Sequence, residues 1–245
     1  MIINVVNRKA VTNIELARVI AGVNAQIALD FAPYWGMPCI VRAGLPVQTT
    51  KPAFQDSCVL YIQKDTDISG ALGYHDRTAP GVPYGFIFTE ISEELGEPWS
   101  VTFSHEVLEM IADPQVNVLA MGPHPAAKRQ VFHWYEMCDA VQAQTYKRKG
   151  VVVSNFVLPF YFTTEPSPGP RDFLKTGLKS FGVAPGGYVG FYDPAVSEHV
   201  TYPRDRLAKK RLAVKEKLGA ARRSNRYKQA TSAGGASRRP RRPSR

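Results

Sequence analysis

Cysteine is scarce in this chain. Cys39, Cys58 and Cys138 are the full set, and none forms a C-x-x-C pair. An odd number without paired spacing argues against a disulfide framework and against a zinc site built on thiolates. Long apolar runs are missing too. No stretch reaches the roughly 18 consecutive apolar residues that a transmembrane helix needs, so no membrane span is expected. The first residues, Met1-Ile2-Ile3-Asn4-Val5-Val6-Asn7-Arg8, lack the basic start, apolar stretch and small-residue cleavage site of a secretory signal. The expected location is therefore cytoplasmic. No internal repeat is visible.

What is present is a body with the composition of a globular α/β domain, 44% hydrophobic and 21% charged, and a tail of different character. The net charge of +10 conceals an asymmetry. Residues 204–245 carry 16 Lys and Arg against two acids, Asp205 and Glu216, whereas 1–203 carry 15 bases and 19 acids. The expected organisation is a single domain over 1–203 followed by a basic tail over 204–245. The tail is read as a solvated helix over 206–223 and then a disordered Ser/Gly/Arg/Pro-rich segment, which has too little apolar surface to offset its ordering entropy. Such a tail would contact nucleic acid or another polyanion through phosphate charge without sequence preference. With Tyr227 its one aromatic, base stacking adds little.

Along the body, 2–6 reads as a strand. Residues 14–30 read as a helix capped by Thr12 or Asn13, with Leu16, Val19, Ile20, Val23 and Ile27 at helical spacing. The segment 31–36 should break that helix. Strands are expected near 39–42, at 58–62 and at 84–91, with a polar stretch over 48–56 and a long loop over 63–83. Residues 99–112 read as a second helix that Asp113-Pro114 ends, because proline disfavours helical geometry in the residue before it. A loop over 115–129, an extended segment over 151–162 and a short helix near 172–179 follow. Gly186-Gly187 reads as a tight turn, since no Gly-Lys-Ser/Thr accompanies it.

The chemistry concentrates in Ser104-His105-Glu106-Val107-Leu108-Glu109. On a helix, residues i and i+4 share a face, so His105 and Glu109 can grip one metal ion from the same side. Imidazole nitrogen and carboxylate oxygen both suit Zn2+. Glu106 lies about 100° further round the helix, placed to act as general base on a water that the metal activates. The string is similar to the H-E-x-x-H helix of zinc peptidases, with Glu109 in place of the second histidine. That replacement adds negative charge at the metal, weakens its Lewis acidity and admits other divalent ions.

A catalytic zinc takes three protein ligands and keeps one open position. Glu136 is the favoured third ligand. Asp139 is either a carboxylate that orients His105 or the ligand itself. His133 and His124 are further candidates. Asp113 stands roughly 12 Å along the helix axis from His105 and reaches the metal only if the helix breaks. At helical spacing Glu136 and Asp139 share a face, as do His133 and Glu136. Tyr74, Tyr135 and His75 are candidate donors to an oxyanion or ligands for substrate.

Phe31-Ala32-Pro33-Tyr34-Trp35-Gly36, Leu72-Gly73-Tyr74-His75-Asp76, the His105 motif through Asp113-Pro114, Glu136-Met137-Cys138-Asp139 and Pro185-Gly186-Gly187-Tyr188 together resemble a family of zincin-like proteins from bacteria and their phages. The resemblance spans about residues 10–192. It implies a zincin-like fold, a mixed sheet with an active-site helix, and one bound Zn2+. In that fold an edge strand just before the active helix pairs with extended substrate, a position that 84–91 would occupy. Three functions compete. The first is a zinc-dependent hydrolase, a metallopeptidase acting on a peptide or protein substrate. The second is a non-catalytic zincin-like module for binding or for the virion, the location a phage origin would imply. The third is a nucleic-acid-binding protein that works through its tail.

Overall fold

The computed structural model describes residues 1–44, 57–64, 73–78 and 81–217. The expected polar stretch over 48–56 and the disordered segment over 224–245 lie outside the described residues, as does the core of the loop expected over 63–83. The described residues form a mixed α/β architecture with three sheets. Its first half runs β1 (Ile2–Asn7), α1 (Asn13–Gln26), α2 (Ala32–Trp35), β2 (Ile40–Ala43), β3 (Ser57–Gln63), β4 (Gly73–Arg77), β5 (Pro83–Phe88), α3 (Thr89–Glu94) and α4 (Trp99–Ala112). The second half runs β6 (Leu119–Pro123), β7 (Gln130–Trp134), β8 (Thr145–Arg148), β9 (Val151–Ser154), β10 (Tyr188–Asp193), β11 (Glu198–Pro203) and α5 (Arg206–Lys217). No helix among the described residues is long and apolar enough to cross a membrane.

The main sheet has five strands in the order β2-β1-β3-β5-β4. β1, β2, β3 and β5 are parallel, and β4 runs antiparallel to β5 at the edge. The run Ile3-Asn4-Val5-Val6 is buried throughout, as a central parallel strand covered on both faces requires. The other two sheets among the described residues are β11-β10-β7-β6 and the β8-β9 hairpin.

Several expectations change here. Among the described residues the edge position belongs to β4, within the segment expected to be a loop, and β5 lies inside, between β3 and β4. Its strand stops at Phe88, and α3 takes over at Thr89. The Gly73-Tyr74-His75-Asp76-Arg77 segment carries a period-two burial pattern that its Gly and Asp content obscured. The first helix is not broken at residue 31. It passes through a π-helical turn over Ile27–Phe31 into α2 and ends at Gly36, whose φ of 64° an L-residue rarely adopts. Pro33 falls in the first turn of α2, where its missing N–H costs nothing. Trp35 Nε1 donates to Val157 O at 3.1 Å and anchors the end. Thr12 is the cap, accepting the Glu15 N–H at 3.2 Å.

Residues 130–138 are not helical. β7 ends at Trp134 and a 3-10 turn follows at Asp139–Val141, so the helical spacing assumed for His133, Glu136 and Asp139 does not apply. The aromatic and β-branched residues of Gln130–Trp134 favour a strand that pairs with β6 and β10. Two further expectations are replaced. β6 occupies part of the expected loop over 115–129, and the 172–179 segment forms turns, not a helix. At the other boundary, α5 begins within the basic segment and is tied to the body. Asp205 accepts the N–H groups of Gly186 and Ala208, and Ala208 is fully buried.

Candidate metal centre

α4 occupies 99–112, as the sequence predicts, and every residue from Ser100 to Ala112 is buried. Phe103, Val107, Leu108 and Met110 are fully inaccessible, and each such side chain contributes about 1.5–3 kcal/mol by leaving water. The helix packs against β9 on one side and against β4 and β5 on another. A helix buried all round has no solvent face, so each of its polar groups needs a partner inside the protein. Ser100 Oγ donates to Val152 O at 2.7 Å. Ser104 Oγ donates to Val101 O and accepts the Ser154 N–H at 2.8 Å, which locks α4 to β9. Trp99 Nε1 donates to Glu15 Oε1 at 2.7 Å and ties α4 to α1.

The three motif residues are all deeply buried: Glu106 and Glu109 are 0% exposed and His105 is 7%. His105 Nε2 lies 3.1 Å from Glu109 Oε1 and 3.2 Å from Asp139 Oδ1. Neither approach gives that nitrogen a well-formed hydrogen bond. Donors about 2.0–2.2 Å from a tetrahedral ion stand about 3.3–3.6 Å apart, close to these two separations, and imidazole with carboxylate is a donor chemistry that fits a divalent metal. Burial opposes protonation of His105. The Glu109 charge and the Asp139 carboxylate outweigh it and carry the imidazole up to about 10 without a metal. Cys138 sits against the same group. Its backbone N–H donates to Glu109 Oε1 at 3.2 Å, and burial, then the Glu109 charge, push its thiol well above the ordinary range.

Among the described residues, two sets of side chains have ligand atoms within 4.8 Å of one another. One is His105, Glu109 and Cys138, and the other is His75, Glu109 and Glu136. The expected trio of His105, Glu109 and Glu136 is thus divided over two groups that share Glu109. Asp139, the alternative third ligand, touches the His105 nitrogen directly. His75, on β4, brings Nδ1 to 3.2 Å from Glu106 Oε2. The close approach depends on Gly73, since a Cβ there would stand 2.9 Å from Thr102 Cγ2 and 3.1 Å from Glu106 Cγ. A narrow crevice lined by His133, Trp134, Glu136, Asp139, Tyr161 and Gly190 opens at this site. The Tyr161 hydroxyl donates to Gly182 O, and burial, then the Asp139 charge, raise its phenol far above the usual value.

Other candidates go elsewhere. Asp113 terminates α4 and accepts the N–H groups of Asn117 and Val118, which turns the chain toward β6. His124 Nδ1 accepts the Ala126 N–H in the β6-β7 connection. His133 borders the crevice, but its Nε2–H donates to Pro123 O at 2.9 Å, and burial pushes its pKa below the ordinary imidazole value. Tyr74 alternates with His75 along β4 and packs on Phe86 and Phe88, on the opposite face from the site. Tyr135 stacks on Phe162. The sequence reading missed the Cys138 backbone and the pairing of His75 with Glu106. No local signal marks either, because both contacts join segments far apart in the chain.

No protein-family model, curated protein or solved structure matches this chain.

Proposed function

We propose that this protein is a metal-dependent hydrolase of the zincin-like kind, a zinc metallopeptidase. The observation that carries the reading is the buried imidazole of His105, whose Nε2 has a carboxylate oxygen of Glu109 at 3.1 Å and one of Asp139 at 3.2 Å, with Glu106 one residue round the same helix. The five-stranded sheet with an antiparallel edge strand preceding the buried motif helix supports the fold assignment. His105 and Glu109 hold the ion, with Asp139 or Glu136 as third ligand. When bound, the metal supplies Lewis acidity and draws the pKa of a water toward about 7. Glu106 would serve as the base for a water in the site, and His75, whose Nδ1 lies 3.2 Å from Glu106 Oε2, would fix the carboxylate for that role. Burial of the cluster keeps bulk water from competing for these charges. β4, the last strand of its sheet among the described residues, receives an extended peptide by strand addition.

The deciding experiment compares wild type with Glu106→Gln on a library of peptide substrates, with metal content measured alongside. Hydrolysis by wild type that Glu106→Gln abolishes while retaining metal supports the mechanism. Full activity in the variant overturns it.

One observation favours a second reading, a zincin-like module in which the ion only holds the fold. Glu106 and Glu109 are fully inaccessible, and the crevice beside them is narrow. Metal in the wild type with no hydrolysis of any peptide supports this reading. The basic segment adds a polyanion contact, nucleic acid being the partner its charge suits. Residues 218–245 hold nine of its bases. Equal nucleic-acid affinity of the full chain and a chain ending at Lys217 would remove those residues from that role.

A further inference from the structure

We infer that the site holds two divalent cations, with Glu109 shared between them. The inference rests on the hydrolase reading only for the first ion, on His105 and Glu109. The second ion takes His75, Glu109 and Glu136.

The donor atoms of these last three residues lie within 4.8 Å of one another, as do those of His105, Glu109 and Cys138. Glu109 belongs to both groups and has an oxygen for each. Oε1 faces His105 at 3.1 Å, and Oε2 is buried as well. A carboxylate whose two oxygens address two cations neutralises both without an additional side chain.

His75 is prepared for a cation by its partner. Its Nδ1 lies 3.2 Å from Glu106 Oε2, a contact that orients the buried ring. A carboxylate behind one imidazole nitrogen is the usual support for a histidine that ligates metal through the other. In this arrangement Glu106 both orients His75 and stands beside the reacting water.

Charge points the same way. Glu106, Glu109, Glu136 and Asp139 carry four negative charges when ionised. One divalent ion balances half of that, and two balance all of it. Buried carboxylates are retained only where their charge is compensated. Glu136 is half-buried and, with Asp139, lines the crevice, so the second position lies toward solvent. Imidazole with carboxylates suits zinc and also manganese.

The test is ion stoichiometry in the full-length protein. Wild type, His105→Ala, His75→Ala and Glu136→Gln are loaded with Zn2+ or Mn2+, freed of unbound ion by gel filtration and analysed by elemental mass spectrometry. Circular dichroism verifies that each variant is folded. Two ions per wild-type chain, falling to one in His75→Ala and in Glu136→Gln, support the inference. The manganese form should show a spin-coupled electron paramagnetic resonance signal that His75→Ala converts to that of an isolated ion. One ion in wild type that His75→Ala retains and His105→Ala loses overturns the pair and leaves the single-ion hydrolase intact. One ion lost in both variants means a single site reached by both histidines, which also overturns the pair. No bound ion in wild type overturns the hydrolase reading as well.

Discussion

Replacing Ser104 with alanine tests how α4 is held in the rotation that the site requires. The Ser104 hydroxyl is fully buried. It donates to Val101 O at 3.0 Å and accepts the Ser154 N–H at 2.8 Å. In Ser104→Ala the Val101 carbonyl keeps its helical partner, whereas the Ser154 N–H loses its acceptor. A buried donor left without a partner costs about 1–3 kcal/mol. For a domain of this size each kcal/mol lowers Tm by about 2–4 °C, so the midpoint of that range is a fall of about 4–8 °C. Ser100→Ala is the internal comparison. It removes only the donor that Ser100 Oγ gives to Val152 O, and a carbonyl with a second lone pair tolerates the loss better, at about 0.5–1.5 kcal/mol. Urea denaturation followed by circular dichroism measures both variants. A Ser104→Ala loss below about 0.5 kcal/mol, or one smaller than that of Ser100→Ala, would refute the claim that this bond fixes the helix.

Gly73→Ala places a methyl group 2.9 Å from Phe86 O and Thr102 Cγ2, so β4 must move off α4. Overpacking of this kind should cost about 1–3 kcal/mol in chemical denaturation. Zinc at a hundredfold excess over its Kd should stabilise the folded state by about 2.7 kcal/mol and raise Tm by several degrees. His105→Ala should show no such rise in differential scanning fluorimetry. Asp193 is held below its ordinary carboxyl value of 3.8 by hydrogen bonds from Arg129, against an opposing effect of burial. A depressed folded-state value stabilises the protein above 3.8, and that contribution is lost as pH falls through the depressed value. The denaturation midpoints of wild type and Asp193→Asn should therefore differ most above pH 4 and converge as acid is added.

Where local pattern and local chemistry agree, the amino-acid sequence alone determines the outcome. α4 occupies the expected residues because its apolar spacing continues until Asp113-Pro114 stops it, and i,i+4 geometry then forces His105 and Glu109 onto one face. β3 and the start of the first helix are legible for the same reason. The strand Gly73–Arg77 and its place at the sheet edge were not legible, since strand partners are chosen by packing against β5 and α4 and not by the five residues themselves. Tertiary structure alone brings Asp139 to His105 across 34 positions and His75 to Glu106 across 31. It also converts the segment around His133 from an assumed helix to a strand, which turns that histidine toward Pro123. Spacing along one helix is a covalent consequence of the chain, whereas contacts between distant segments depend on which buried surfaces fit together.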